Sequence, residues 1–418
     1  MNAIQIYGGN RLRGEAKIQG SKNAVLPLLA AALLIDGICK IDNCPMISDV
    51  AHMLRLLESL GCNIARNGHA VEIDASDLHL GDMPSDSVGV MRSSIMLLGA
   101  LLARTGRVNM QYPGGCVIGQ RPIDLHLRSL RKMGVAIEER EDGFFAETTG
   151  LMGAHIALPF VSVGTTENIV LAAVLAKGDT VIENAAREPE IYALCDFLNK
   201  AGASIEGAGS DKIIIHGVKS LHAASYRVPA DRIVAGTYLA ACLCCGGDIF
   251  LREAPCAHMK AVTAAALDMG AEIEEDEDGM RIACMKRRNM PHMLKTDSYP
   301  GFPTDLQSAF LTAMTLAGGS GVLEETIFEN RFRIVPELRK MGAEIICKGN
   351  TLFIEGKETL KGAELTAQEL RGGAALILAG SAALGMSIVK NTQYIERGYE
   401  DICHDLSELG VRCEKISG

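Results

Sequence analysis

The sequence predicts an α/β fold of two domains, each made of three repeats, with a cluster of buried helices inside and sheets outside. Three observations carry that prediction. A glycine recurs six times at near-equal spacing, just after an amphipathic helical pattern. An apolar run without a polar face lies upstream of each copy. A glycine turn and a short β-like segment follow each run.

The glycines are Gly61, Gly134, Gly202, Gly270, Gly342 and Gly410, at intervals of 68 to 73 residues. Around them stand versions of Leu-x-x-Leu/Met-Gly-Ala-x-Ile, at Leu57–Ile64, Leu130–Ile137, Leu198–Ile205 and Leu338–Ile345. The fourth copy has Ala266 in the leucine place and the sixth ends in Cys413. A glycine just past a helix end fits a position where positive φ is cheap only for Gly. The apolar runs are Ala24–Leu34, Ser94–Ala103, Ile169–Ala176, Ile233–Leu243, Ala309–Ala317 and Gly373–Ala383. Helices apolar all round must be buried on all sides. Each unit's second, amphipathic helix can cover an outer face. The expected domains are residues 22–229, and residues 1–21 with 230–418.

Composition narrows the function classes. A net charge of −10 with no basic stripe leaves nucleic-acid binding without an electrostatic footprint. The longest apolar runs are about half the ~20 residues that span a bilayer, so no membrane span is expected. Met1–Ile6 has neither the charged nor the apolar region of a signal peptide. The 13 cysteines follow no metal-ligand spacing, so no metal is expected, and without a signal peptide or membrane span reduced thiols in the cytoplasm are the expectation. Cys242, Cys244 and Cys245 lie in an apolar helical run and read as core. The acidic run Glu274–Asp278 reads as a solvated hairpin tip.

The starts of the buried helices carry the chemistry: Gly20-Ser21-Lys22-Asn23, Met91-Arg92-Ser93-Ser94, Ser162-Val163-Gly164-Thr165, Asp231-Arg232, Pro303-Thr304-Asp305 and Leu370-Arg371-Gly372. Helix N-termini present unpaired N–H groups and partial positive charge. Aimed at one cleft and joined by Lys22, Arg92 and Arg371, they would form an anion site inside an acidic protein. Taken singly, Ser21, Ser94, Thr165, Thr304 and Asp305 are also good helix caps. The strongest local signal is the loop Tyr112–His126, with Gly114, Gly115 and Gly119 around Cys116. A thiol on such a loop near Arg121 suits a general acid or nucleophile.

These residues resemble a known family. The markers are Gly-Ser-Lys-Asn at 20–23, Met-Arg-Ser-Ser at 91–94 and Pro-Gly-Gly-Cys-x-Ile-Gly-x-Arg-Pro-x-Asp-Leu-His at 113–126. Ser-Val-Gly at 162–164, Glu-Asn-Ala-Ala-Arg-Glu-Pro-Glu at 183–190 and Phe-Pro-Thr-Asp at 302–305 follow, then Phe-Glu-Asn-Arg-Phe at 328–332 and Glu-Arg-Gly-Tyr-Glu at 396–400. Over essentially its whole length the chain is similar to the UDP-N-acetylglucosamine 1-carboxyvinyltransferases of the enolpyruvyl transferase family. The resemblance implies an inside-out α/β barrel in two domains of three repeats. It also implies transfer of the enolpyruvyl group of phosphoenolpyruvate to the 3-hydroxyl of UDP-N-acetylglucosamine by addition and elimination, the first committed step of peptidoglycan synthesis.

By resemblance, Cys116 is the loop acid, able to form a phospholactoyl adduct, and the expected target of the epoxide fosfomycin. Asp305 is the base and Asn23 orients the sugar. Lys22, Arg121 and Arg397 clamp phosphate, while Arg331 and Arg371 hold the carboxylate side. Arg121, Pro122, Ile123, Asp124 and Leu125 receive the uracil, and Ser162, Val163 and Gly164 the diphosphate. Arg92 and Ile327 complete the sugar and loop contacts, and no cofactor is implied. Phe160 stands where some members have a diphosphate-binding lysine, and Glu369 replaces an aspartate. Rival readings are the sister transferase acting on shikimate 3-phosphate, a catalytically inactive UDP-sugar sensor and a protein-binding scaffold. The Pro-Gly-Gly-Cys loop and the strip Arg121–Leu125 argue against the first. Retention of Lys22, Cys116, Asp305 and Arg397 argues against the second, and the charged helix starts against the third.

Overall fold

The computed structural model describes residues 2–78, 92–112, 123–285 and 288–417. Cys116, Arg121 and Pro122 lie outside the described residues, and of Arg92 only the backbone is described. The chain divides into two compact units. One contains residues 20–112 and 123–229; the other contains residues 2–19 and 230–417.

In chain order the first of these units carries α1 (Lys22–Ala31), α2 (Ser48–Ser59), α3 (Leu97–Thr105), α4 (Asp124–Lys132), α5 (Val163–Ala173) and α6 (Pro189–Lys200). The second carries α7 (Arg232–Cys245), α8 (Lys260–Asp268), α9 (Gln307–Thr315), α10 (Val335–Lys340), α11 (Leu370–Ala382) and α12 (Ile402–Glu408). The odd-numbered helices are the apolar ones. Of the 14 residues of α7, only Arg232 and Cys245 escape burial. Helices α1, α3 and α5 pack on one another, as do α7, α9 and α11. Each trio centres its own hydrophobic core. The even-numbered helices bury one face and expose the other, as their patterning demands.

Sheets of three or four strands accompany each repeat. In the fifth, Met293–Lys295 runs parallel to Ser320–Glu324, which pairs antiparallel with Thr351–Glu355, and that strand with Glu344–Lys348. All six repeat glycines adopt φ between 88° and 100°. At Gly342 an added Cβ would meet nothing within 4 Å, so backbone conformation alone requires glycine there. Cys242 and Cys244 are buried in α7, and residues 274–278 form an exposed hairpin tip, as the patterning implied.

Helix α12 docks on α7 through the Tyr238 hydroxyl, which donates to Asp405 Oδ2. Burial pushes the Asp405 carboxyl up to about 6, against the opposing hydrogen bond from Tyr238. An unfolded aspartate titrates near ~3.9. The folded chain therefore binds the extra proton between these values. This group's stabilisation is full below about 4 and is lost as pH rises to about 6. Asp405→Asn is expected to flatten that slope and to raise stability at pH 7 by about 1–2 kcal/mol. Urea midpoints measured from pH 4 to pH 8 check this.

Candidate active site

The site is clearest in the unit holding residues 230–417, where three helix starts converge. Asp231 caps α7, accepting from the N–H groups of Ile233 (2.8 Å) and Val234 (3.1 Å). Glu369 caps α11, accepting from Arg371 N at 2.7 Å and from Gly372 N. The turn Thr304–Leu306 leads into α9 and presents Asp305.

Asp305 does not cap its helix; its carboxylate bridges two arginines. Oδ1 accepts from Arg331 Nη2 at 2.6 Å, and Oδ2 from Arg371 Nη2 at 2.9 Å and Nε at 3.2 Å. The two guanidiniums are almost wholly buried, with side chains 2% and 3% exposed, whereas Asp305 is 25% exposed. Burial alone would ease the proton off Arg371, but Asp305, Tyr399 and Asp231 more than offset it and keep the guanidinium firmly charged. Beneath it lies the Tyr399 ring, 5.8 Å from the guanidinium carbon, whose hydroxyl shares a 2.7 Å hydrogen bond with Thr237. Burial raises the Tyr399 phenol, against the pull of Arg371 and Thr237, so it stays neutral.

Arg331 Nε and Arg371 Nη1 are buried donors without an acceptor among the described residues. Leaving such groups unsatisfied is costly, and more so for charged ones. Two cations share one carboxylate at the mouth of converging helix N-termini. The surplus positive charge and spare donors suit an oxyanion carried by a small molecule.

Glu325, which the sequence reading missed, ties this site together. It is 2% exposed and accepts from Thr304 Oγ1 (2.8 Å), Ile327 N (2.8 Å) and Phe328 N (3.1 Å). The carbonyl of Thr304 accepts in turn from Arg331 Nη2 at 3.2 Å. One buried carboxylate thus sets both the Asp305 turn and the segment bearing Ile327, which is 37% exposed. Glu325→Ala would orphan two amides and a hydroxyl. It is expected to cost about 2–3 kcal/mol and to lower kcat/KM by roughly 10- to 100-fold through displaced Asp305. Thermal unfolding and steady-state kinetics of the variant check this. Arg397, half-buried, ends the turn Thr392–Arg397 that precedes Tyr399.

In the other unit Ser21 caps α1, accepting from Ala24 N at 3.3 Å, and Lys22 opens the helix beside Asn23. Lys22 Nζ lies 2.7 Å from Asp49 Oδ2, with its side chain 12% exposed, so it is a held charge rather than a solvated one. The turn Arg92–Met96 packs against α1 and α5. Asn168 joins α5 to that turn and to α3: its Oδ1 accepts from Gly99 N at 2.7 Å, and its Nδ2 donates to Ile95 O at 2.7 Å. Asn168 Nδ2 also sits 2.9 Å from His126 Nδ1 on α4.

Ser162, not Thr165, caps α5; it accepts from Thr165 N at 3.4 Å and donates to Thr165 Oγ1 at 2.9 Å. A Cβ at Gly164 would sit 3.4 Å from His126 Cε1, which keeps this helix start narrow. Val163 and Gly164 are half-buried. Ile123 and Leu125 bury their side chains, while Asp124 is half-buried and pairs with Arg128 at 3.7 Å. Phe160 is 58% exposed. Among the described residues, no group of three or more His, Cys, Asp or Glu is placed to hold a metal ion. No described helix is long and apolar enough to cross a membrane.

Comparison with known proteins defines the class first. Residues 6–406 match the family model of EPSP synthase (3-phosphoshikimate 1-carboxyvinyltransferase). The fold is that of solved enolpyruvyl transferases. NikO from Streptomyces tendae superposes with a TM-score of 0.90 at 24% identity, covering 100% of this chain and 99% of that one. An EPSP synthase from Acinetobacter baumannii gives 0.78 at 20%, covering all of both chains. The architecture is therefore the two-domain inside-out α/β barrel.

Within that class the sequence is more specific. UDP-N-acetylglucosamine 1-carboxyvinyltransferase 2 of Caldanaerobacter subterraneus subsp. tengcongensis is 43% identical over 416 residues. The UDP-N-acetylglucosamine 1-carboxyvinyltransferases of Tolumonas auensis and Serratia proteamaculans are 44% and 45% identical over 419. All three alignments cover 100% of both chains. The chain belongs to the UDP-N-acetylglucosamine 1-carboxyvinyltransferase family.

Proposed function

We propose that this enzyme transfers the enolpyruvyl group of phosphoenolpyruvate to the 3-hydroxyl of UDP-N-acetylglucosamine and releases phosphate. It would serve peptidoglycan synthesis, and hence cell shape and division, in the cytoplasm. The observation that carries the reading is the buried Arg331–Asp305–Arg371 cluster in a chain aligned end to end with transferases of that name.

The chemistry demands a base at the hydroxyl, an acid at C3 of phosphoenolpyruvate, and cations around its phosphate and carboxylate. Asp305, partly exposed between two fixed cations, takes the hydroxyl proton as the oxygen attacks C2. Cys116 delivers a proton to C3. Phosphate then leaves as C3 gives a proton back. Lys22, Arg121 and Arg397 hold the phosphate, while Arg331 and Arg371 hold the carboxylate. Asn23, Arg92 and Ile327 position the sugar; Ser162–Gly164 take the diphosphate, and residues 121–125 the uracil. Glu369, as the α11 cap, orients Arg371 and moves no proton.

Phosphate release from phosphoenolpyruvate, assayed with each acceptor, tests the reading. Release is expected with UDP-N-acetylglucosamine and not with shikimate 3-phosphate; the opposite pattern would move the chain to the sister activity. Fosfomycin, an epoxide that alkylates thiols, is expected to abolish turnover by modifying Cys116. Peptide mass mapping after exposure with the sugar nucleotide checks this, and an unmodified Cys116 would count against its role.

A further inference from the structure

Cys403 on α12 and Cys413 on the strand Arg412–Ser417 face each other outside the reaction described above. Their Sγ atoms are 2.8 Å apart, and Cys413 Sγ also lies 3.5 Å from the Cys403 carbonyl oxygen. A disulfide needs about 2.05 Å between sulfurs, so bond formation requires a movement of less than about 1 Å. The two elements are already tied beside the pair. Lys415 Nζ donates to Asp401 Oδ2 at 2.8 Å, and Asp401 caps α12 by accepting from His404 N at 3.0 Å. Cys403 is 6% exposed and Cys413 half-buried, so a small reagent approaches from the Cys413 side. The thiols are unequal: the hydrogen bond from Cys413 pulls Cys403 below the ordinary range, while Cys413 is pushed up. By contrast, Cys242 and Cys244 share one helix, and burial pushes both thiols up, away from the thiolate form.

We propose that Cys403 and Cys413 form an oxidisable dithiol, a modification site that a hydroperoxide converts to a disulfide. The thiolate sulfur of one attacks the peroxide oxygen. The O–O bond breaks, and an alcohol, or water from hydrogen peroxide, leaves with a proton. The second thiol attacks the resulting sulfenic sulfur, the S–S bond forms, and water departs with the remaining proton. In sum, two thiols lose two electrons and two protons to the peroxide. The product pins α12 to the strand Arg412–Ser417 at Cys403, four residues after Tyr399, whose ring lies beneath Arg371.

The test treats the full chain with hydrogen peroxide, blocks remaining thiols with iodoacetamide and maps the digest by mass. A peptide joining Cys403 to Cys413, two hydrogens lighter than its halves and released by dithiothreitol, is expected. Alkylation of both cysteines should fall at least about tenfold, while that of Cys39 and Cys195 after unfolding stays unchanged. In Cys413→Ser the joined peptide should vanish, and Cys403 should instead be captured by dimedone as its sulfenic acid. Full alkylation of both cysteines after peroxide, or their separate oxidation with no joined peptide, would overturn the proposal.

Discussion

Asp305→Ala is expected to lower kcat/KM at least about 10³-fold and to cost about 3–5 kcal/mol of stability. The stability loss follows from the geometry. Arg331 and Arg371 are buried and share this one carboxylate, so its removal leaves two buried cations that repel each other. Asp305→Asn separates the two roles. The amide keeps the shape and one acceptor, so part of the stability should return, whereas activity should stay as low as in Ala because no base remains. Urea unfolding beside steady-state kinetics reads both. Stability recovered together with activity would make Asp305 a structural counter-ion only.

Arg371→Ala is the second large effect, expected to lower kcat/KM by roughly 10²-fold or more, with most of the change in KM for phosphoenolpyruvate. It removes the two donors that hold Asp305 Oδ2 and uncovers the Tyr399 ring. Arg371→Lys should rescue little, because an ammonium cannot supply the paired Nε and Nη2 donors. Combined with Asp305→Ala, the stability costs should fall short of their sum by about 1–3 kcal/mol, since each change removes the other's partner. Chemical unfolding of the single and double variants measures that coupling; strict additivity would contradict the shared network.

What the sequence made legible was whatever repeats or stays local. The six glycines and the all-apolar runs announced the buried helices, because both features obey short-range rules of backbone and burial. Lys22, Asp305 and Arg371 stood out because they occupy equivalent helix starts. What stayed hidden depends on partners distant in the chain. Thr237 meets Tyr399 across 162 residues, and Arg371 meets Asp305 across 66. No periodicity encodes either contact. Glu325 follows directly on the strand Ser320–Glu324, and only the fold shows it buried against Thr304 and the Ile327 turn. Asp49 likewise emerged as the partner of Lys22 from the docking of α2 on α1. Capping was half legible: serine was the right chemistry at α1, but at α5 the cap is Ser162 and not Thr165, and at α9 the Thr304 hydroxyl serves Glu325. Glu369 caps α11, accepting from the backbone N–H of Arg371.

The most direct test of the account is the mass spectrum of the sugar nucleotide after incubation with phosphoenolpyruvate and enzyme. The account predicts UDP-N-acetylglucosamine made heavier by one enolpyruvyl group, joined at the 3-oxygen. A sugar nucleotide recovered unchanged while phosphate accumulates, or an enolpyruvyl group found on shikimate 3-phosphate instead, would contradict it.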